Sequence, residues 1–389
     1  MRTVLRVLLW AVGAVVALIV LAVVALNIYL VRRPPGTTVT PAGTLSFPVP
    51  FKIGRPFIDY LAVSGGRLYA GYASQGMVGV VDEATSRPIA MIEGMTRVHG
   101  VAIVPERGLG FASSSGDNVV GVFDLATNRL TRKIPGGDDP DGVLYDAAAK
   151  LVYVGNHDGK TATLIDPATL KVVATIPLGG EPEFPRADPE TGVIYQNLED
   201  TSELVVVDPQ KQAVTQRYKV APGEGPTGLA LDAAHRRLFV ACRNRQLVVM
   251  NTADGSIVAT VRIGAGTDGA DYDPQLKRVY TANGVGTMTV IQQDSADSYH
   301  VLEDAPTHFG GHSLVVDPTT HRIYVAYFGS VAAYDVATRP SNSPWGLRHG
   351  TPLPPAPEGV PSRKNQKGFV RIFAISAGRV RLARLIWAT

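Results

Sequence analysis

One pattern recurs seven times along this chain of 389 residues, at intervals of 41 to 43 residues. Each copy is an apolar run that ends at one polar residue, and these end points are Asp82, Asp124, Asp166, Asp208, Asn251, Gln292 and Asp335. One aromatic residue per copy keeps the same spacing: Tyr69, Phe111, Tyr153, Tyr195, Phe239, Tyr280 and Tyr324. A period of this length indicates one structural unit per repeat, stacked against its neighbours.

The third repeat illustrates what one unit contains. Its apolar residues follow the period of two that is typical of a strand. Turn residues divide it into four short strands, at Gly142–Asp146, Leu151–Gly155, Thr163–Asp166 and Lys171–Ile176. Val, Ile, Thr and Gly prevail where a helical repeat would need Leu, Ala and Glu. Since four strands in about 42 residues is the size of a propeller blade, the sequence predicts an all-β, seven-bladed β-propeller over residues 45–339.

The ring needs one strand from the N-terminal side, because the last repeat supplies only three strands between His312 and Asp335. The segment Ser46–Gly54 precedes the first repeat and resembles Val172–Gly179, the fourth-strand segment of the third repeat. We therefore expect this N-terminal strand to complete the last blade and to leave no free sheet edge in the ring.

Three segments of the chain carry a family resemblance. "YVGN" at 153–156, "LIDPATLKVVATIPLGG" at 164–180 and "DPDGVLYD" at 139–146 resemble the YVTN-type propeller repeat of YncE-like bacterial proteins. The resemblance covers roughly residues 45–339, and the Gly-His and Trp-Asp marks of WD repeats are missing. Such families are defined by fold and have several functions, so the resemblance implies a propeller and little chemistry.

Residues 1–33 are predicted to form a transmembrane signal anchor. Val7–Leu26 contains twenty residues without a charge, and at about 1.5 Å per residue this length matches a bilayer core of about 30 Å. The apolar region of a cleavable signal peptide is shorter, about 7–15 residues, although the sequence leaves cleavage open. A short basic N-terminus before an apolar run is the secretory pattern. We therefore expect a single-pass protein with its propeller on the extracytoplasmic, periplasmic side, after an extended linker at residues 34–44.

The net charge of +3 conceals an acidic middle and two basic ends. Residues 34–361 contain 26 basic against 34 acidic residues, a net charge of −8, which argues against binding to nucleic acid. The single cysteine, Cys242, excludes an internal disulfide and a cysteine-based metal cage. Residues 340–389 are Pro-rich and then basic, and they are predicted to be a mostly disordered tail; Phe369–Ser376 as an additional strand is the alternative.

The start of each predicted inner strand lies twelve residues before the aromatic marker, where side chains converge on the central channel. This offset selects His99, Asp141, Glu183, Thr227, Asp268 and His312 in blades 2 to 7. In blade 1 an ungapped count selects Phe57, whereas a hairpin two residues shorter aligns the apolar pattern better and selects Asp59. His157, after the second strand of blade 3, is expected to lean toward Asp141. These residues, with Asp59 for blade 1, form the predicted ligand-binding site at the channel mouth.

Two histidines and one carboxylate in this set point to a metal ion. Blades 7, 1 and 2 are neighbours in the ring, so His312, Asp59 and His99 are expected to cluster. That ligand set suits zinc, iron or manganese. The alternative is a solvated mouth, because polar residues that line a wet channel need no ligand to satisfy them. The cofactor is therefore unknown from sequence, with a divalent metal ion as one candidate.

Two functions follow from this inventory. The first is a membrane-anchored ligand-binding or interaction scaffold, with a small molecule, a glycan or a protein at the propeller rim; no reaction motif of the GxxxxGK[ST], HExxH or GxSxG type is present. The second is a metal-dependent hydrolase, lactonase or lyase, with His99, His312 and a carboxylate on the ion and Asp141 or Glu183 as general base. A redox-partner propeller with an organic cofactor is a third reading, without a visible attachment residue.

Overall fold

The structure, a computed structural model, describes residues 38–48 and 56–337, together with residues 15, 18, 375, 376, 379 and 380. The chain divides into two units, Met1–Asn342 and Ser343–Thr389. The first unit contains seven four-stranded antiparallel sheets, which confirms the predicted all-β, seven-bladed propeller. In the second unit, Ile375–Ser376 pairs with Arg379–Val380.

Blades 1 to 6 take their strands in chain order from the inner to the outer edge, and blade 7 adds the N-terminal strand at its outer edge. Blade 1 comprises Leu61–Ser64, Arg67–Tyr72, Met77–Asp82 and Arg87–Ile92; blade 2 comprises Val98–Val104, Leu109–Ser114, Val119–Asp124 and Arg129–Pro135. Blade 3 comprises Pro140–Asp146, Leu151–Asn156, Thr161–Asp166 and Lys171–Pro177; blade 4 comprises Pro182–Ala187, Ile194–Leu198, Glu203–Asp208 and Ala213–Lys219. Blade 5 comprises Pro226–Asp232, Arg237–Cys242, Gln246–Asn251 and Ile257–Arg262; blade 6 comprises Thr267–Asp273, Arg278–Asn283, Thr287–Ser295 and Ser298–Pro306. Blade 7 comprises Gly311–Val316, Ile323–Tyr327, Ser330–Val336 and Val39–Ser46, and blade 2 adds 3₁₀ turns at Pro105–Arg107 and Ser115–Asp117.

In blades 1 to 5, the polar residue that ends the repeated run caps the hairpin that follows it. In blade 2, Asp124 Oδ1 accepts hydrogen bonds from the backbone nitrogen of Thr127 at 2.7 Å and from its hydroxyl at 2.8 Å. Asn128 then adopts a left-handed conformation with φ of 54°, and the register slips between Val122 and Phe123. Asp and Asn favour such turns because their short side chains bond to the nearby backbone. Gln292 and Asp335, which end the runs of blades 6 and 7, have other partners: Gln292 donates to the carbonyl oxygens of Leu276 and Lys277, and Asp335 pairs with Arg322.

The aromatic markers form the core between the blades. All seven are at most 4% exposed, and seven apolar clusters each join one blade to the next. Phe111 of blade 2, for example, packs in one cluster with Val143 and Val152 of blade 3. Burial of one such side chain contributes about 1.5–3 kcal/mol. The ring is therefore held together by apolar contact between adjacent sheets.

An N-terminal strand closes the ring, as predicted, but it lies earlier in the chain than expected. Val39–Ser46 pairs antiparallel with Ser330–Val336, from Val39 opposite Val336 to Ser46 opposite Ser330. This strand occupies most of the segment predicted as the linker at 34–44. Only Val39, Leu45 and Phe47 bury apolar side chains there, and the polar residues between them concealed the strand in the sequence.

The predicted anchor at residues 1–33 lies outside the described residues apart from Val15 and Leu18. Within the part of the chain that the structure describes, no helix has the length and apolar character to cross a membrane. The predicted tail at 340–389 also lies outside the described residues, apart from its two-residue strands.

Candidate functional site

In blades 2 to 7, a β-bulge in the inner strand orients the side chain of the residue that the sequence offset selects. In blade 2 the pairing register slips between Val98 and Val101, on either side of His99. A β-bulge redirects a side chain locally and is common next to binding sites. The same slip encloses Asp141, Glu183, Thr227, Asp268 and His312 in blades 3 to 7.

A glycine after the bulged residue lets neighbouring inner strands approach each other closely. A Cβ atom on Gly100 would lie 2.5 Å from the carbonyl oxygen of Asp141, and one on Gly142 would lie 2.9 Å from the carbonyl oxygen of Glu183. Real Cβ atoms do not approach backbone atoms this closely, so glycine is required here. The close approach brings the bulged side chains of adjacent blades into contact.

Asp59 is the centre of the channel mouth, which we define as Asp59, His99, Asp141, Asp268 and His312. Its side chain is buried, and its two oxygens contact different histidines. Oδ2 contacts Nδ1 of His99, and Oδ1 lies 3.0 Å from Nε2 of His312. The predicted choice of Asp59 for blade 1 therefore puts a carboxylate between two imidazoles.

The remaining atoms of these side chains also have partners. Nδ1 of His99 lies 3.4 Å from Oδ1 of Asp141, and its Nε2 lies 3.0 Å from the hydroxyl of Ser115. The hydroxyl of Tyr60 donates to Oδ2 of Asp141 at 2.8 Å.

His312 is held from its other side as well. Its Nδ1 lies 2.9 Å from Oδ2 of Asp268, and the ring of Phe57 packs edge-on against it at 4.8 Å between centroids. The imidazole therefore lies between the carboxylates of Asp59 and Asp268.

The predicted metal set of His99, Asp59 and His312 does not form one cluster. Among the described residues, two groups that contain Asp59 have donor atoms that all lie within 4.8 Å of one another: Asp59, His99 and Asp141, and separately Asp59, Asp268 and His312. The physical reason is that the histidines contact opposite oxygens of Asp59. Two adjoining groups that share one carboxylate replace the single site expected from sequence.

Two of the predicted site residues take other positions. Thr227 is fully buried, and its hydroxyl donates to the carbonyl oxygen of Thr267 at 3.1 Å. This hydroxyl is therefore a partner of the backbone and is not part of the channel mouth. His157 lies beside Glu183, with Nε2 4.0 Å from Oε1. With Glu199 these two form a further group of ligand-type side chains.

Burial and charge shift the acid–base properties of the mouth. Burial alone would raise the pKa of Asp59, but hydrogen bonds from His312 and then His99 lower it far below its usual range. Burial also opposes protonation of both histidines, yet the adjacent carboxylates raise the pKa of His99 and raise that of His312 well above its usual value. An ionised Asp59 thus stabilises two protonated imidazoles.

The other two acids shift in the opposite direction. Burial, followed by the charge of Asp59, raises the pKa of Asp141 to about 7. Burial, followed by the charges of Asp141 and Asp268, raises the pKa of Glu183 well above its usual value. Like charges close together disfavour one another's ionisation. Asp59, Asp141, Glu183 and Asp268 all lie at the same end of the channel.

Sequence reasoning missed Ser115 and Glu199, although their spacing from the aromatic markers could have identified them. Both lie four residues after the aromatic marker of their blades, as His157 does in blade 3. This second offset marks the residue that follows the second strand, at the same end of the blade as the start of the inner strand. It would have found the hydroxyl that holds His99.

A family model described as "Cytochrome D1 heme domain" matches residues 72–299, from the second strand of blade 1 into the outer strand of blade 6. The chain belongs to this family. That span is more than half of the chain and includes three of the five channel-mouth residues, His99, Asp141 and Asp268, whereas Asp59 and His312 lie outside it. The predicted β-propeller is confirmed, whereas the finer YVTN-type resemblance stays a prediction.

The cytochrome D1 heme domain family member described here also resembles a solved structure. A chain of "Kuenenia stuttgartiensis Hydrazine Synthase" superposes with a TM-score of 0.67 and 16% sequence identity, over 75% of this chain and 99% of that one. At this identity the likeness establishes the propeller fold alone. No curated protein sequence matches the chain.

Proposed function

We propose that this protein is a membrane-anchored binding propeller whose channel mouth holds a divalent transition-metal ion. The ligands are Nδ1 of His99, Oδ2 of Asp59 and Oδ1 of Asp141, whose side chains form one group within 4.8 Å. Nδ1 of His99 and Oδ1 of Asp141 are 3.4 Å apart. With bonds of about 2.1 Å, this pair of donors subtends about 108° at an ion. Nδ1 of His99 and Oδ2 of Asp59, which are in direct contact here, would have to separate to admit the ion. One imidazole and two carboxylates suit zinc, manganese or iron(II).

The observation that carries this proposal is that the far atom of each ligand has its own partner. Ser115 holds Nε2 of His99, Tyr60 holds Oδ2 of Asp141, and His312 holds Oδ1 of Asp59. Metal ligands are typically oriented in this way by a surrounding layer of hydrogen bonds. A solvated mouth would not require three separate protein partners for the three far atoms.

Three protein ligands leave coordination positions on the ion for a further molecule. This is the pattern of ligand-binding and catalytic zinc sites, whereas structural sites are closed by four ligands. It supports the binding of a small molecule, a glycan or a protein group at the mouth. The same observation supports a metal-dependent hydrolase, lactonase or lyase as the second candidate, and turnover of ester and lactone substrates by the metal-loaded protein would distinguish the two.

Heme is the cofactor in the family's name, so we tested its fit to the mouth. An axial imidazole holds the iron about 2 Å from its nitrogen, at the centre of a flat macrocycle. Oxygens of Ser115, Asp59 and Asp268 lie 2.9–3.0 Å from ring nitrogens of the two histidines. A macrocycle on His99 or His312 would overlap these side chains, so the mouth residues fit a small ion and not a heme.

The absorbance spectrum of the protein from heme-supplied cells tests this choice. We expect no Soret band in the purified protein. A stoichiometric band that disappears in the His99→Ala variant would contradict the proposal.

We also propose that residues 1–33 anchor the propeller on the extracytoplasmic side of a membrane. The support is the uncharged run Val7–Leu26 after a short basic start. A reporter enzyme that is active only outside the cytoplasm, fused after residue 337, tests the orientation. Release of the protein from membranes by alkaline carbonate would contradict the anchor.

Metal content tests the site itself. Full-length protein purified without a histidine tag and dialysed against Zn²⁺ or Mn²⁺ is expected to retain about one ion per chain. Free ion at a hundred times its dissociation constant should stabilise the fold by about 2.7 kcal/mol.

The variants His99→Ala and Asp141→Asn should lose the ion while the propeller remains folded. His300→Ala is the matched control, because His300 is exposed on the outer strand of blade 6 and pairs with Asp294. Equal retention in His99→Ala and the control would overturn the proposed site.

A further inference from the structure

A cavity of about 440 Å³ lies inside the propeller, next to the channel mouth. Most of its lining residues lie one to six positions after a mouth side chain; Tyr60, which follows Asp59, and Leu314, two residues after His312, both line it. Its volume is in the range of small-molecule sites. The apolar part of the wall includes Leu61, Val63, Val101, Val143, Leu144 and Val315.

Two charged residues line the cavity, Arg186 and Asp271. Nη2 of Arg186 donates to the carbonyl oxygen of Ala270 and to Oδ1 of Asp271, both at 3.2 Å. Within the described residues, Nε and Nη1 of Arg186 donate no hydrogen bond to the protein. Since a guanidinium has five N–H groups in a planar fork, one side of the fork is available to a ligand.

The acid beside Arg186 also accepts hydrogen bonds from two backbone nitrogens. Oδ1 of Asp271 also accepts from the backbone nitrogen of Tyr272 at 3.0 Å, and Oδ2 accepts from that of Val316 at 2.9 Å. The aromatic ring of Phe184 lies 5.8 Å from the guanidinium carbon. Asp271 and Phe184 thus fix the position of Arg186 and leave its free edge as the cationic feature of a wall that is partly apolar and also includes Tyr60, Ser64 and Tyr145.

We propose that this cavity binds a small organic monocarboxylate with a compact apolar body. The carboxylate pairs with the free edge of Arg186, because guanidinium and carboxylate form two parallel charge-assisted hydrogen bonds. The apolar body displaces water from the aliphatic wall, which favours binding. The site is separate from the ion proposed at the mouth, and it does not require that ion.

Isothermal titration of the full-length protein with benzoate and cyclohexanecarboxylate tests this site. Benzamide and benzyl alcohol are the matched neutral probes, since they have the same apolar body without the charge. We expect the carboxylates to bind at least about tenfold more tightly than the neutral probes, in line with the strength of hydrogen bonds to charged groups.

Two variants locate the binding. Arg186→Met keeps an unbranched apolar stem and removes the guanidinium, and it should weaken carboxylate binding by about tenfold or more while leaving benzamide unchanged. Leu61→Trp fills the cavity and should abolish binding of both probe types. Arg262→Met is the control on the outer strand of blade 5, and circular dichroism with thermal unfolding verifies that each variant folds.

Three results would overturn the proposal. They are equal affinities for benzoate and benzamide, carboxylate binding that survives in Leu61→Trp, and absence of binding by any probe at millimolar concentration. Because the titration is run with and without chelator, failure of the metal site leaves the expected result unchanged.

Discussion

Oδ1 of Asp59 lies 3.0 Å from Nε2 of His312, and this contact joins the first blade to the last. The two residues are 253 positions apart in the chain. They meet only because the ring is closed, so the integrity of the channel mouth depends on the strand that closes blade 7. That strand, Val39–Ser46, lies in a segment that has few apolar residues and no alternating apolar pattern.

Removal of the closing strand should therefore damage both stability and the mouth. A chain that begins at Thr38 is expected to fold like the full-length protein. A chain that begins at Phe47 exposes the unpaired edge of Ser330–Val336, which invites aggregation. Thermal unfolding and size-exclusion chromatography of the two truncations measure the difference, and equal melting temperatures with equal monomer content would contradict it.

The Thr38 start is chosen for a structural reason. The backbone nitrogens of Thr38 and Val39 donate to Oε1 of Glu303 at 3.0 and 3.1 Å, so the strand is fastened to blade 6 as well as to blade 7. A start at Val39 would lose one of these bonds and should fall between the two truncations in stability.

His312 and His99 should differ in their effect on metal binding. His99→Ala removes a proposed ligand and should abolish retention of Zn²⁺. His312→Ala keeps all three ligands but frees Oδ1 of Asp59, and loss of an outer partner typically weakens a metal site by about 10–100-fold. Competition with a chromogenic chelator measures both affinities. Equal losses in the two variants would mean that His312 is itself a ligand.

Acid should remove the contribution of Glu203 to stability. Burial tends to raise its pKa, but hydrogen bonds from Lys219 and Arg217 lower it below the usual value. Nη1 of Arg217 and Nζ of Lys219 each lie 2.6 Å from one of its oxygens. A lowered native pKa stabilises the fold above the unfolded pKa of about 4.3, and this contribution is lost as pH falls through the native value.

Urea unfolding of Glu203→Gln at pH 7 and pH 3 measures that contribution. We expect the variant to be less stable by about 0.5–1 kcal/mol at pH 7, a modest value because solvent screens the partly exposed cations. The difference should shrink toward zero at pH 3. Glu190→Gln, at an exposed turn, is the control, and a difference that grows in acid would refute the assignment.

The fold was predictable because the period, the alternation and the turn residues all specify the same unit. The aromatic markers are the clearest case: Tyr153 and Phe111 recur at a fixed spacing because each fills the same junction between blades. The closing strand was misplaced since Thr40–Thr44 are exposed and give no apolar pattern. A strand held mainly by backbone pairing leaves little trace in the sequence.

The site was only partly predictable, because an offset identifies a backbone position and not a side-chain partner. The offset found His99 and His312, and the assumption of a shorter hairpin in blade 1 found Asp59. The offset also selected Thr227, whose hydroxyl instead bonds to a carbonyl oxygen. That the histidines take opposite oxygens of Asp59 depends on side-chain geometry, which spacing cannot encode. The ligand set that we propose therefore has Asp141 in place of the predicted His312.

The single thiol should be inert in the folded protein. Cys242 is fully buried, and burial raises the pKa of its thiol to about 12. At pH 8 the thiolate fraction is then about a thousandfold smaller than that of an ordinary exposed cysteine with a pKa of about 8.5. Reaction with Ellman's reagent should thus be slower by about that factor or more, and urea should restore the normal rate. The double variant Cys242→Ala with Ser298→Cys supplies the exposed reference, and comparable native rates would show that blade 5 opens far more readily than its packing implies.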